Sequence, residues 1–266
     1  MLDLKHYEGS SPMVIDANEF VENFADKDWL VVLPRKGCHD IWNAFMVKNA
    51  TFSYPSDIPF CPCTATSLPT QLISYDDAKS LYKKEIKVNP NFHINAYIHF
   101  FIDDQKFDGK RDSIWFNCEK ALNIFRHFDG IITPDFSTYA DFPDPLKRYN
   151  TYRMRAFGNW VSENKISVIN NVRWGTSETW DYCFDGIPQK SIVAVGTVAS
   201  GLKKSFYRPQ FETGLRKMVE TISPKAIIVF GSVHYDFFDD LKKQGVEIVA
   251  FPSKTNEVFA RRKSHE

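Results

Sequence analysis

A chain of 266 residues with 43% hydrophobic and 15% aromatic content can bury a sizeable core, and its composition is not that of a disordered chain. Lysine plus arginine and aspartate plus glutamate balance at 33 each, which leaves no overall charge to coat a nucleic acid or an acidic membrane, so any polyanion binding must be local. The opening MLDLKHYEGSSPMVIDANEF lacks the pattern of a signal peptide, no stretch approaches the roughly twenty apolar residues of a membrane span, and five cysteines without a regular framework suit a reducing compartment; the expectation is a cytoplasmic protein with no membrane partner.

An amphipathic segment at Glu19 to Phe24 leads into the apolar run Trp29 to Leu33, ended by Pro34, which is a first candidate strand. Helical patterning is weak from Asp40 to Lys48, and the proline-rich stretch from Tyr54 to Pro69 reads as irregular, so residues 36–70 are expected to form an insertion or a lid. Gln71 to Tyr75 is the second strand, followed by Asp76, Asp77 and a lysine-rich helix through Ile86. Ala96 to Ile102 is the third, ending in Asp103 and Asp104. Ser113 then caps a helix on which Ile114, Cys118, Ala121, Leu122, Phe125 and Phe128 recur at steps of three and four.

Gly130 to Thr133 is the fourth strand. Pro134 cannot donate to a ladder, so the strand stops and presents Asp135 past its carboxyl end, where α/β folds place their chemistry. The next helix starts with Asp144 as N-cap and Pro145 at its first position. Its apolar stripe is Leu146, Tyr149, Ala156, Phe157, Trp160 and Val161, and the same stripe carries Asn150 and Arg153 inward; a buried arginine needs a partner. Ile166 to Val172, Ser191 to Val198, Ala226 to Phe230 and Val246 to Phe251 are the remaining strands. Between them lie the helices Phe211 to Ile222 and Tyr235 to Gln244, the latter stopped by Gly245.

Alternation of helices with strands that are apolar on both faces calls for a parallel sheet. Eight strands favour a (β/α)8 barrel-like fold in a single α/β domain over residues 1–266, with an open parallel sheet bearing helices on both faces as the alternative.

In a barrel the strand ends share one rim. Asp76, Asp77, Asp103, Asp104 and Asp135 make one part of it acidic, although aspartate after a strand is also a common N-cap, the commoner role for Asp76 and Asp77. Asp103, Asp104 and Asp135 are candidate ligands for magnesium or manganese, or an acid and base. Arg153, Arg155, Arg173, Trp174, Lys203, Lys204 and Arg208 make the opposite part basic, suited to phosphate oxygens; solvated surface lysines would look the same. The turns Gly196 to Gly201 and Phe230 to Ser232 follow strands, and Gly231, Ser232 and Ser253 occupy the place where barrels often bind phosphate. The glycine spacing is not that of a Walker or Rossmann fingerprint, which argues against NAD, and no three-cysteine cluster supports an iron–sulfur centre. A zinc site from Cys38, His39, Cys61 and Cys63 has unusual spacing, and Cys183 reads as a packing residue.

The segments IHFFIDDQKFDGKRDSIW, TPDFSTYADFP, NTYRMRAFG, ISVINNVRWG, YCFDGIP, SIVAVGTV and AIIVFGS follow one another from Ile98 to Ser232. On these motifs the sequence resembles the domain of unknown function family 4417, carried largely by phages, plasmids and integrated mobile elements of bacteria. It departs from the family's wording at Asn170 and Asn171, where proline and threonine are more usual. The resemblance implies a mobile-element setting and a host-cell cytoplasm, and it directs attention to Asp103, Asp104, Asp135, Asn150, Arg153 and Arg155.

The leading expectation is therefore an enzyme, a hydrolase or transferase, acting with a divalent metal on a phosphorylated or nucleotide-like small molecule. Asp103, Asp104 and Asp135 would be its catalytic or metal-binding groups, with Arg153, Arg155 and Arg173 clamping anionic oxygens. A non-catalytic factor that binds nucleic acid or a host protein through the basic half and the ARRKSHE tail is the alternative. A glycoside hydrolase using two of the carboxylates, with Trp174 and Tyr139 lining the cleft, is a third. Substrate and oligomeric state are not fixed by the sequence.

Overall fold

The computed structural model describes residues 40–198, 200–202, 204 and 207–253. The candidate strand at Trp29 to Leu33, the helix before it, Cys38, His39, Lys203 and the ARRKSHE tail lie outside the described residues.

Seven strands are present among these residues: β1 (Leu72–Ser74), β2 (Ile94–His99), β3 (Phe128–Ile132), β4 (Ser167–Asn171), β5 (Ile192–Gly196), β6 (Ala226–Phe230) and β7 (Glu247–Phe251). They form one sheet in the order β1-β2-β3-β4-β5-β6-β7, and every neighbouring pair is parallel. The helices between them are α1 (Tyr75–Glu85), the short α2 (Gln105–Asp108), α3 (Cys118–Phe125), α4 (Asp144–Glu163), α5 (Arg208–Ile222) and α6 (Asp236–Lys243).

The sheet is open, which corrects the closed eight-stranded barrel. Closure requires the first and last strands to pair, and among the described residues β1 and β7 are edges. Sequential order with right-handed crossovers puts successive helices on one face of the sheet, which is why the arrangement still curls as a barrel does. Side-chain alternation follows from it. Ile131, Val168, Val193, Val195, Ile227 and Val229 pack with the helices, whereas Ile132, Ile169, Ile192, Ala194, Ala226 and Ile228 form a second core on the other face. Among the described residues no helix residue belongs to that second core, which Cys63, Ala65 and Leu68 cover, so helices are found on one face of the described sheet and not on both.

The described part of the expected insertion holds one 3-10 turn, Ala44–Val47, and its stretch from Cys61 to Ala65 lies against β4 and β5. The backbone N–H of Thr64 donates to the Val168 carbonyl (3.0 Å), Val168 N–H donates to Thr64 Oγ1 (2.9 Å), and Asn170 Nδ2 donates to the Cys61 carbonyl (2.9 Å). This segment occupies the side of β4 near its amino end, where β5 has not yet begun to pair; β4 meets β5 only through Asn170 and Asn171.

Helix α4 buries most of the expected stripe, Asn150, Ala156, Phe157, Trp160 and Val161, but not its two first apolar residues. Leu146 and Tyr149 are exposed (40% and 44%), while Lys147, Asn150, Thr151, Met154 and Arg155 are buried beside Phe157, Trp160 and Val161. The N-cap is Pro143, and Asp144 is already helical; its carboxylate accepts a hydrogen bond from the Tyr182 hydroxyl (2.7 Å). Ser113 is likewise no cap, since its hydroxyl donates to Asp108 (2.8 Å) and α3 begins only at Cys118.

Candidate functional site

The carboxyl ends of β3, β4 and β5 converge on a cavity of about 370 Å³. At the end of β3 the chain turns at Thr133 and Pro134, and Thr133 Oγ1 accepts the backbone N–H of Asn171 (2.8 Å), which ties this turn to the end of β4. Asp135 then projects to two donors from that neighbouring strand end. Asn171 Nδ2 donates to Oδ1 (2.8 Å), and Arg173 Nη1 donates to Oδ2 (2.6 Å). Burial works against the charge of Arg173, but Asp135, together with Asp104 and Tyr139, outweighs it and the pKa is raised. The ring of Tyr139 lies 5.6 Å from the guanidinium carbon. Among the described residues no acceptor holds Nε or Nη2 of Arg173, so these donors remain available to the cavity that the residue lines.

The walls are mixed. Trp174 and Phe211 pack against each other with ring centroids 5.1 Å apart, and Val172 and Val195 add apolar surface. Gly214 on α5 allows the indole to lie against the helix, because a Cβ there would stand 2.1 Å from Trp174 Nε1. The turn after β5 contributes Gly196, Val198, Ser200 and Gly201, and Asp141 joins from the loop before α4.

Asp104 stands behind this pair. Ser137 holds both its oxygens, through N–H to Oδ2 (3.1 Å) and Oγ to Oδ1 (3.0 Å). Burial raises its carboxyl pKa, and the nearby Asp135 adds to the rise against the Ser137 hydrogen bonds and Arg173. The carbonyl of Ser137 accepts from Asn150 Nδ2, Asn150 Oδ1 accepts from Arg153 Nη2 (2.7 Å), and Arg153 Nη1 donates to Asp108 (2.7 Å). Arg153 thus has a partner, but it is Asp108, and its guanidinium is seated 3.9 Å from the Phe136 ring centroid.

Of the expected residues, Asp135, Arg173 and Trp174 meet in the cavity, with Asp104 beside them. Asp103 is exposed and accepts the backbone N–H of Gln105 (3.0 Å). Arg155 is fully buried and donates to the carbonyls of Asn171, Cys183 and Asp185, so it clamps backbone and does not reach the cavity. Gly231 and Ser232 do not line the cavity either. Gly231 adopts φ 119°, and Thr197 Oγ1 donates to the Ser232 carbonyl (3.0 Å), joining this turn to the cavity-lining one after β5. Asp103 accepts from Gln105 at the surface, Asp104 accepts from Ser137, and Asp135 accepts from Asn171 and Arg173. Among the described residues no group of three or more His, Cys, Asp or Glu side chains could hold a metal ion. Burial pushes the thiols of Cys61 and Cys183 up to about 12, which leaves them poor ligands and poor nucleophiles.

The model of the family described as "Domain of unknown function (DUF4417)" matches residues 50–252. The chain belongs to the DUF4417 family. Two curated relatives are the Gene 1 protein of Mycobacterium phage L5, 33% identical over 144 residues, and the Gene 1 protein of Mycobacterium phage D29, 31% identical over 139 residues. The matches cover 53% and 52% of this chain and 60% and 49% of those proteins, so the chain spans only about half to three fifths of the curated relatives' length. No solved structure matches.

All the cavity-lining residues fall within the DUF4417 region. Sequence reasoning did not find Thr138 there, nor Gln210 and Phe211 from the start of α5, nor Asn171, which is buried behind the cavity and holds Asp135. Asn171 had a visible signal, a polar residue at the end of a buried strand one position before the turn that carries Arg173. The others had none, because loops and α5 bring them to the cavity. Asp108 was equally hidden; only the Arg153 contact across 45 residues reveals its role. A second, more open hollow of about 420 Å³, between Phe52 to Ile58 and the start of α4, contains none of the expected residues. No helix among the described residues is long and apolar enough to cross a membrane.

Proposed function

We propose that this DUF4417 protein binds a small phosphorylated or nucleotide-like molecule in the cavity at the ends of β3, β4 and β5, and acts on it in the cytoplasm of a bacterium carrying a mobile element. The single observation behind this reading is Arg173. Its Nη1 is fixed by Asp135, while Nε and Nη2 keep unused donors beside a cavity walled by aromatic rings. A preset guanidinium with two free donor positions suits an oxyanion, and flat apolar walls suit a ring. The phage origin of the two relatives supports the mobile-element setting.

This reading is carried by Arg173 and uses no magnesium or manganese ion; an ion held with Asp103, Asp104 and Asp135 is the alternative that a metal titration would decide. Turnover, as a hydrolase or transferase, would rest on Arg173 steadying the charged oxygen, with Asp135 holding the guanidinium in place. A nucleic-acid-binding role has less support. Of the expected basic half, Arg153 and Arg155 are engaged inside the protein and Arg173 lines the cavity, while Lys203 and the ARRKSHE tail lie outside the described residues. A glycoside hydrolase is disfavoured because both oxygens of Asp135 are already committed to Asn171 and Arg173.

Calorimetric titration with nucleoside monophosphates and sugar phosphates tests the proposal, with chromatography of each mixture for products. Binding is expected for the native protein and at least about tenfold weaker for Arg173→Lys, which keeps the charge and loses the planar fork. Indifference of the native protein to the whole panel, or equal binding by the variant, would remove the reading.

A further inference from the structure

Resting on the reading just given, we infer that the ligand is a nucleotide whose base is read by Thr138 and Gln210, on the cavity wall formed with Trp174. Thr138 is 3% exposed, lines the cavity, and its Oγ1 has no hydrogen-bond partner among the described residues. Buried hydroxyls are rarely left so, because an unsatisfied polar group is costly to hide from water. Gln210 reaches the same wall from the first turn of α5. Its Nε2 donates to the Gly175 carbonyl (2.9 Å), which fixes the carboxamide and leaves Oε1 with no donor among the described residues. Gly175 joins the two, since a Cβ on it would lie 3.2 Å from the Thr138 carbonyl oxygen.

The immediate neighbour of Gly175 is Trp174, with its indole held between Phe211 and Gly214. A hydroxyl that can donate or accept, a fixed amide oxygen that can accept, and an adjacent aromatic surface are together what a planar heterocycle with a polar edge requires. An inorganic phosphate would use Arg173 and leave Thr138 unpaired, and a bare sugar phosphate would bring no planar ring to the Trp174 face. The occupant that engages Arg173 and this wall together carries a phosphate at one end and a base at the other, the plan of a nucleoside monophosphate.

The test is isothermal titration of the 266-residue chain with AMP, GMP, CMP and UMP against ribose 5-phosphate, in native protein, Thr138→Val and Thr138→Ser, with melting temperatures for each. At least one nucleotide is expected to bind about tenfold or more tightly than ribose 5-phosphate. Thr138→Val should lose about tenfold for that nucleotide alone, with ribose 5-phosphate unchanged, and Thr138→Ser should restore it. Valine should not lower the melting temperature, because no internal hydrogen bond is removed. A lower melting temperature, or an unchanged preference in Thr138→Val, would overturn the inference and assign Thr138 to packing. Binding of ribose 5-phosphate as tightly as any nucleotide would also overturn it while sparing the Arg173 reading; silence from every ligand would remove both.

Discussion

Asp135 Oδ2 and Arg173 Nη1 meet at 2.6 Å, each delivered by the end of a different, adjacent strand, and their side chains are only 12% and 23% exposed. The pair is the point at which β3 and β4 present one charged feature to the cavity. Its worth to the fold is measurable. Arg173→Met leaves Asp135 charged and nearly buried, and should cost about 2–4 kcal/mol in urea unfolding. The double variant Asp135→Asn with Arg173→Met should recover part of that, because no unpaired carboxylate is left. Additive losses in the double-mutant cycle would show that the two side chains are near one another without being coupled.

Asp104 makes the stability depend on pH in a defined direction. Burial holds its folded-state pKa above the ordinary 3.8, so the folded protein keeps the proton longer than the unfolded chain does. The contribution of this group is fully present below the unfolded pKa and is lost as pH rises through the raised folded value. Asp104→Asn cannot titrate, yet keeps an acceptor for Ser137. Its stability relative to the native protein should therefore improve between about pH 3.5 and pH 7, a window that opens near the ordinary aspartate value. Denaturant titrations at several pH values read this directly, and a relative stability that worsens with pH would contradict the assigned direction.

Much of this fold is visible in the sequence, and the parts that are not share a physical cause. The strand Ala226 to Phe230 is found with the expected ends because every side chain is buried on one face or the other. Ser191 to Val198 shrinks to Ile192–Gly196, since apolar character continues past the last ladder bond. Asp135, Arg173 and Trp174 were legible because strand ends are where α/β sheets keep exposed chemistry. Helix α4 departs from its apolar pattern, since Lys147 in its first turn and Arg155 in its middle are buried while Leu146 and Tyr149 are exposed. A helical period cannot reveal that an arginine will be satisfied by carbonyls from a loop some thirty residues later. Thr138 and Gln210 were out of reach for the same reason, since their proximity is a property of the assembled sheet.

Arg155 illustrates what such a hidden group is for. Its Nε, Nη1 and Nη2 each donate to a different backbone carbonyl, those of Asp185, Asn171 and Cys183, and burial pushes its pKa down to about 10, still well above neutrality. The guanidinium therefore pins the segment around Cys183 to β4 and α4. Arg155→Met fills the volume and removes a buried charge, but it orphans three carbonyls at once and should cost about 2–4 kcal/mol. Arg155→Lys should be no rescue, because one ammonium cannot span three acceptors in a plane. Thermal melts of both variants decide the matter; a lysine variant as stable as the native protein would mean that charge alone is required.

Gly214 separates the shape of the cavity from the stability of the fold. It lies in the interior of α5, where alanine is the better helix former by about 1 kcal/mol, so the helix itself gains from Gly214→Ala. The new methyl, however, would stand 2.1 Å from Trp174 Nε1, closer than any real contact, and Trp174 is partly exposed on its cavity side. The indole must move, and the cavity is the side open to it. The expected result is a protein that stays folded, with changed tryptophan fluorescence and ligand binding weakened about tenfold or more, because the surface against which a ring would lie has turned into its space. A variant that unfolds would place Trp174 in the supporting core of α5, whereas one with native fluorescence and native binding would show that the indole is not the wall of this site.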